Sequence, residues 1–142
     1  MQIKMSAAEV QTFLAREFPQ HYGPGRSYRI EAVGPGTART RFTTNEKHLR
    51  PGNTISGPTL MAIADSTMYV ALLAAIGPIP LAVTTNLNIN FLRKPRPGDL
   101  VAECKLMKLG KRLAVGEVTI WSDGQEEPVA HAVTTYSIPR ED

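Results

Sequence analysis

The chain has a single cysteine, Cys104, among its 142 residues. One thiol can neither close an intramolecular disulfide nor build a cysteine-rich metal site, and this agrees with a reducing, cytoplasmic setting. Runs of one charge are also missing. The 16 Lys and Arg stand against 13 Asp and Glu, for a net charge of +3, and the basic residues are scattered. A nucleic-acid-binding chain gathers such residues into a footprint, so no nucleic-acid partner is expected. A few local cations would still suffice for a phosphorylated small molecule. The first residues, Met1 to Ser6, lack the apolar core and small-residue cleavage site of a secretory leader. Aromatic residues make up only 6% of the chain, while 42% is hydrophobic and 20% charged. Those are ordinary values for a soluble globular protein, and residues 1–142 are read as one domain.

A long hydrophobic run exists only in interrupted form. Thr59 to Val83 holds one charged residue, Asp65, but Gly77-Pro78 and Pro80 break it. The unbroken part, Thr59 to Ile76, is at the lower limit for crossing a bilayer, and an unpaired Asp is costly there. A helix buried inside a soluble fold is expected, with no membrane contact.

The remaining pattern gives an order of elements. Ser6 with Glu9 three residues on forms a capping box. Val10, Phe13, Leu14 and Phe18 follow at helical spacing until Pro19 ends the helix. Strands are expected at Tyr28–Val33 and Thr37–Thr43 around the Gly34-Pro35-Gly36 turn, and Thr44 to Ile55 reads as a loop. Ser56 or Gly57 can cap a helix that runs from Pro58 to Ile76 and stops at Gly77-Pro78. That helix is apolar nearly all round, so other structure must wrap it on most sides. In Val83 to Phe91 the odd positions are expected on one face, and Thr84, Asn86, Asn88 and Asn90 on the other. Leu100–Leu109 and Leu113–Ser122 flank the Gly110-Lys111 hairpin signal, and Val129–Pro139 gives a last strand. One apolar helix with six strands predicts an α+β hotdog fold, a curved antiparallel sheet wrapped about the long helix, plus a short N-terminal helix. The uncovered faces call for a homodimer or a dimer of dimers.

Asp65 is the most informative residue, because burying a carboxylate costs several kcal/mol unless it is paired or hydrogen-bonded. It either pairs with Ser66, Thr67 or a strand hydroxyl such as Thr84 for structure alone, or serves as a catalytic base. Gly57, at the start of the same helix, offers a backbone N–H where the helix dipole favours developing negative charge, although an ordinary helix start has the same sequence. The two lie about 12 Å apart along one helix. A donor and a base must both come within about 3 Å of the reacting group, so a shared site between antiparallel helices of two subunits is expected. Met61, Met68, Tyr69 and Leu72 are candidates to line an apolar acyl pocket. His21 and His131 have no partner at metal-ligand spacing and are expected in surface or core roles, and Cys104 is expected in the core.

The segment Gly52-Asn-Thr-Ile-Ser-Gly-Pro-Thr-Leu-Met-Ala-Ile-Ala-Asp65, followed by Val83-Thr84-Thr85, Phe91-Leu92-Arg93-Lys94-Pro95 and Gly110-Lys111-Arg112, resembles the hotdog acyl-CoA thioesterases of the phenylacetate-degradation (PaaI-like) type. The likeness covers roughly residues 40–138. It implies hydrolysis of an acyl-CoA thioester to free acid and coenzyme A, with no metal or other cofactor. Asp65 would be general base or nucleophile, Gly57 the oxyanion donor, and Thr84 an orienting hydroxyl. Ser56, which stands where the family has His, joins the catalytic set. Substrate contacts are expected from Arg50, Asn53, Pro58, Met68 and Tyr69, and Arg93, Lys94, Lys111 and Arg112 are expected near the coenzyme A phosphates. Arg50 replaces a family Asn or Gln, and Pro58 replaces the second Gly of His-Gly-Gly.

Two other functions stay open. His48 precedes Gly57 at a spacing similar to that of hotdog dehydratases and hydratases, which place their acid where this chain has Ala62. The Ser56 and Arg50 replacements also suit a non-catalytic acyl-CoA-binding protein.

Overall fold

A computed structural model describes residues 2–140. Helix α1 (Ala7–Glu17) begins on the expected capping box: the Glu9 N–H donates to Ser6 Oγ at 3.2 Å, and the Ser6 N–H donates to Glu9 Oε1 at 3.1 Å. These bonds hold the Glu9 carboxyl below its usual range. Pro19 ends α1 as expected, yet the chain turns once more as α2 (Pro19–Tyr22), with the proline at its first position. Strands β1 (Tyr28–Gly34) and β2 (Thr37–Thr43) follow. The expected loop contains a single 3₁₀ turn, Glu46–His48, and a two-residue hairpin of β3 (Leu49–Arg50) and β4 (Thr54–Ile55). Asn53 takes the left-handed conformation (φ 56°) in its turn.

Helix α3 (Gly57–Ile76) is capped by Ser56 and stopped by Gly77 at φ 99°. Strands β5 (Val83–Phe91), β6 (Asp99–Leu109), β7 (Leu113–Ser122) and β8 (Ala130–Ser137) complete an antiparallel six-stranded sheet in the order β1-β2-β6-β7-β8-β5. The sheet wraps α3 as a hotdog. By length and composition alone α3 could cross a membrane, but here it is the core. Leu60, Ile63, Met68, Leu72 and Leu73 are fully buried against the sheet, and such burial contributes roughly 1.5–3 kcal/mol per large side chain.

Two details set how the sheet meets the helix. Gly116 leaves room for Met68: a Cβ there would come within 2.6 Å of the Met68 sulfur. Thr67 satisfies its buried hydroxyl through Thr40 at 2.8 Å and the Ile63 carbonyl at 2.7 Å. On the sheet's outer face, Arg41 pairs with Glu31, Asp99 and Asp123 at 2.8–3.1 Å.

The burial of α3 is not all round. Pro58, Met61, Ala62, Asp65, Ser66 and Tyr69, spaced three and four apart, form one stripe that the chain leaves partly uncovered. The sheet edge beside it is β5, and Val83 (55% exposed) and Phe91 (52%) show on that edge.

Candidate functional site

Asp65 sits half-buried on the uncovered stripe of α3, and two hydroxyls converge on it. Thr84 Oγ1 donates to Asp65 Oδ1. Tyr136 Oη donates to the same Oδ1 at 3.0 Å and to the Asp65 carbonyl at 3.2 Å. The alternation expected for β5 would have turned Thr84 away from the helix, alongside the asparagines. A bulge corrects this: pairing with β8 runs from Phe91↔Ala130 to Asn86↔Thr135 and then skips Thr85, so that Thr84 faces Tyr136. One extra residue changes the face a strand presents, and here it aims Thr84 at Asp65. Burial, and then the Asp65 charge, push the Tyr136 phenol well above its usual range. It therefore keeps its proton and remains a donor.

A cavity of about 560 Å³ opens beside these groups, lined by Leu14, Phe18, Tyr69, Ala82 and Val83, with Glu17 and His21 at its α1–α2 side. The next residue, Ser66, bonds to Tyr22 Oη, whose proton burial likewise retains. His21, expected in a surface or core role, stacks between Phe18 (4.2 Å) and Tyr28 (5.3 Å), and burial lowers its basicity.

Gly57 occupies a different cavity, of about 500 Å³, with Arg50, Thr54, Phe91, Arg93 and Lys94. Its N–H is among the first-turn donors that a helix cannot satisfy itself. The Phe91 ring packs over it, 3.3 Å from where a Cβ would stand. Arg93 is committed locally, with Nε 2.8 Å from Glu127 Oε2 and Nη1 donating to the Pro128 carbonyl at 2.8 Å. Among the described residues Arg50 and Lys94 have no carboxylate within ion-pair distance. Lys111 and Arg112 are exposed at the opposite end of the sheet, next to the Val83 end of β5. Eight residue steps of that strand, roughly 27 Å, separate them from Arg93 and Lys94, so within one chain the four cations cannot meet one phosphate.

Several expected residues lie elsewhere. Met68 and Leu72 are fully buried on the sheet side of α3, with the Met68 sulfur 3.9 Å from Cys104 Sγ. They are core, not pocket lining. Ser56 Oγ caps α3, accepting from the Thr59 N–H at 3.4 Å and pairing with Thr59 Oγ1 at 2.8 Å, so its hydroxyl serves the helix. Asn53 lies in the β3–β4 turn and does not line the Gly57 cavity. Pro58 joins His48 and Ala62 in a third cavity, of about 400 Å³. There His48 Nδ1 accepts the Asn45 N–H at 2.9 Å, and burial followed by the Lys47 charge lowers its basicity. A further depression of about 470 Å³, around Arg39, Glu103, Lys105 and Trp121 on the outer sheet face, holds none of the residues expected in catalysis or substrate binding. His131 meets Glu117 at 3.2 Å, and no group of three His, Cys, Asp or Glu gathers for a metal among the described residues.

Tyr136 and the α1–α2 wall escaped the sequence reading. Nothing local distinguishes Tyr136 from any strand tyrosine, and only its register with Thr84 brings it to Asp65.

The chain has clear relatives. Residues 52–129 match the family model of the thioesterase superfamily. A solved protein of a Silicibacter species, provisionally named a thioesterase, is 42% identical with a TM-score of 0.89, over 99% of this chain and 96% of that one. A mutant form of the phenylacetic acid degradation protein PaaI of Thermus thermophilus is 25% identical with a TM-score of 0.69, over 80% of this chain and 94% of its own. A protein of Saccharolobus solfataricus, provisionally named an esterase, is 28% identical over 137 residues, which are 96% of this chain and 88% of its length.

Proposed function

The chain belongs to the thioesterase superfamily, hydrolases of acyl thioesters, and from that premise we propose that it cleaves acyl-CoA at a site two copies of the chain share. The observation that carries this reading is Asp65. It is a carboxylate on the uncovered stripe of α3, held by the Thr84 and Tyr136 hydroxyls and open to an apolar-walled cavity. Asp65 acts either as general base on water or as nucleophile on the thioester carbon. The Gly57 N–H stabilises the oxyanion that forms.

Gly57 and Asp65 open into separate cavities, about 12 Å apart along one helix, which supports a site completed by a second copy. Strand β5 gives the means. It is a nine-residue sheet edge, and an unpaired edge of that length is a template for another strand. Antiparallel pairing of two such edges sets the Val83 end of one against the Phe91 end of the other. That brings Asp65 of one copy toward Gly57 of its mate. Arg50 and Lys94, which flank the Gly57 cavity, suit the coenzyme A phosphates. A dehydratase reading has less support: the cavity of His48 holds Ala62 where a carboxylate is needed, and Nδ1 is already an acceptor.

The test is free-thiol release from short-, medium- and long-chain and phenylacetyl CoA thioesters, for wild type and Asp65→Asn. Cys104, the one thiol of the chain, is buried, which pushes its pKa up to about 12, so it adds little background. Wild-type turnover should fall roughly 10²–10⁴-fold in the variant while the assembly stays folded. No turnover of any thioester, together with measurable coenzyme A binding, would instead identify a non-catalytic acyl-CoA-binding protein.

A further inference from the structure

We propose that Tyr136 is a positioning residue: with Thr84 it occupies Asp65 Oδ1, fixes the carboxylate's rotation, and leaves Oδ2 as the oxygen that works on substrate. This rests on Asp65 being the reactive carboxylate of the site proposed above. The geometry is specific. Oδ1 accepts from Thr84 on β5 and from Tyr136 on β8, and the Tyr136 hydroxyl also reaches the Asp65 carbonyl. Side-chain and main-chain oxygens of one residue are thus tied to one phenol. Two anchors restrict rotation of the carboxylate where one would act as a pivot.

The surroundings make these bonds necessary. The titratable groups facing Asp65 are Glu17 of α1, His21 and Tyr22 of α2, Tyr28 of β1, Tyr69 of α3, and Tyr136 itself. No Lys or Arg lines the cavity, and burial lowers the basicity of His21. With no cation of its own chain within ion-pair distance among the described residues, a half-buried carboxylate depends on hydroxyl donors for compensation. Tyr136 is only 4% exposed, and its ring stacks on Tyr69 at 5.8 Å. Tyr69 is braced in turn by the Ile79 and Pro80 carbonyls at 3.3 Å. The donor is therefore rigidly mounted.

The experiment pairs kinetics with a signature that needs no turnover. Tyr136→Phe keeps the stacked ring and deletes only the donor. Its kcat should fall roughly 10- to 100-fold, the effect of one hydrogen bond to a charged group, with KM nearly unchanged. Independently, with carboxyl-¹³C aspartate incorporated, the Asp65 carboxyl signal (assigned by its loss in Asp65→Asn) should move in Tyr136→Phe at constant pH, while those of Asp99 and Asp123 stay put. If Tyr136→Phe fails to fold, the wild-type protein gives the answer. A slowly exchanging Tyr136 hydroxyl proton should correlate with the Asp65 carboxyl carbon. An unmoved Asp65 signal, or no such correlation, overturns the proposal whether or not the protein turns over. A moved signal in a protein that hydrolyses nothing retains the positioning bond and rejects the thioesterase reading.

Discussion

Two places along α3, its start at Gly57 and Asp65 on the uncovered stripe, differ in kind. At the helix start, the Gly57 N–H lies under a half-exposed aromatic ring beside Arg50 and Lys94, in a cavity that no carboxylate lines among the described residues. Two turns on, Asp65 meets hydroxyls, apolar walls, aromatic rings and the Glu17 carboxylate, in a cavity that no Lys or Arg lines among the described residues. In the proposed function the first stabilises negative charge and attracts phosphate, and the second supplies a base. In that reading neither is complete alone, since a thioester carbonyl must meet both within about 3 Å. On the reading proposed above these are two half-sites, and their separation along one helix is why that reading includes a second copy.

Three further experiments test that contrast. Gly57→Pro removes the N–H from the donor end alone. Proline suits the first helical position, and its Cβ would stand 3.3 Å from the half-exposed Phe91 ring, which can give. Loss of one oxyanion donor should lower kcat about 10²–10³-fold without dispersing the assembly, measured by thiol release and light scattering. A variant as active as wild type would remove Gly57 from the mechanism. Next, mixing unfolded Gly57→Pro and Asp65→Asn chains and refolding them together tests whether the halves meet across copies. If half of the dimers are mixed and each carries one intact site of two, activity should recover to about a quarter of wild type. If both halves of a site come from one chain, recovery stays at the level of the single variants. The smallest effect on chemistry is expected from Met68→Ala, on the far side of the same helix. Emptying a fully buried position should cost about 2–5 kcal/mol in chemical denaturation. The preference among acyl chains should not change, because Met68 touches Cys104 and the Gly116 gap, not the cavity.

The sequence was legible where local chemistry decides structure. Ser6 with Glu9, Gly57-Pro58, Gly77-Pro78 and Gly110-Lys111 punctuate the chain through capping, fixed proline φ and permitted glycine turns, and each marks an observed boundary. Asp65 stood out because an acid in an apolar helix demands an explanation. Met68 and Leu72, expected at the pocket, lie in the core for the converse reason. A helix apolar on every side carries no amphipathic signal, so nothing in its residues tells which stripe the sheet leaves open. Thr84 was assigned the right partner from the wrong face, since strict alternation cannot foresee a bulge at Thr85.

The sequence by itself therefore determined the order of elements, one long core helix within an antiparallel sheet, and Asp65 as the group to watch. All of these follow from interactions between residues a few positions apart. Long-range packing adds that Tyr136, 71 residues away in the chain, holds the Asp65 carboxylate, that Glu127 engages Arg93, and that Gly57 and Asp65 open into separate cavities. Strand register, bulge position and the side of a helix left uncovered are settled by distant segments competing for the same space, and no local pattern records that outcome.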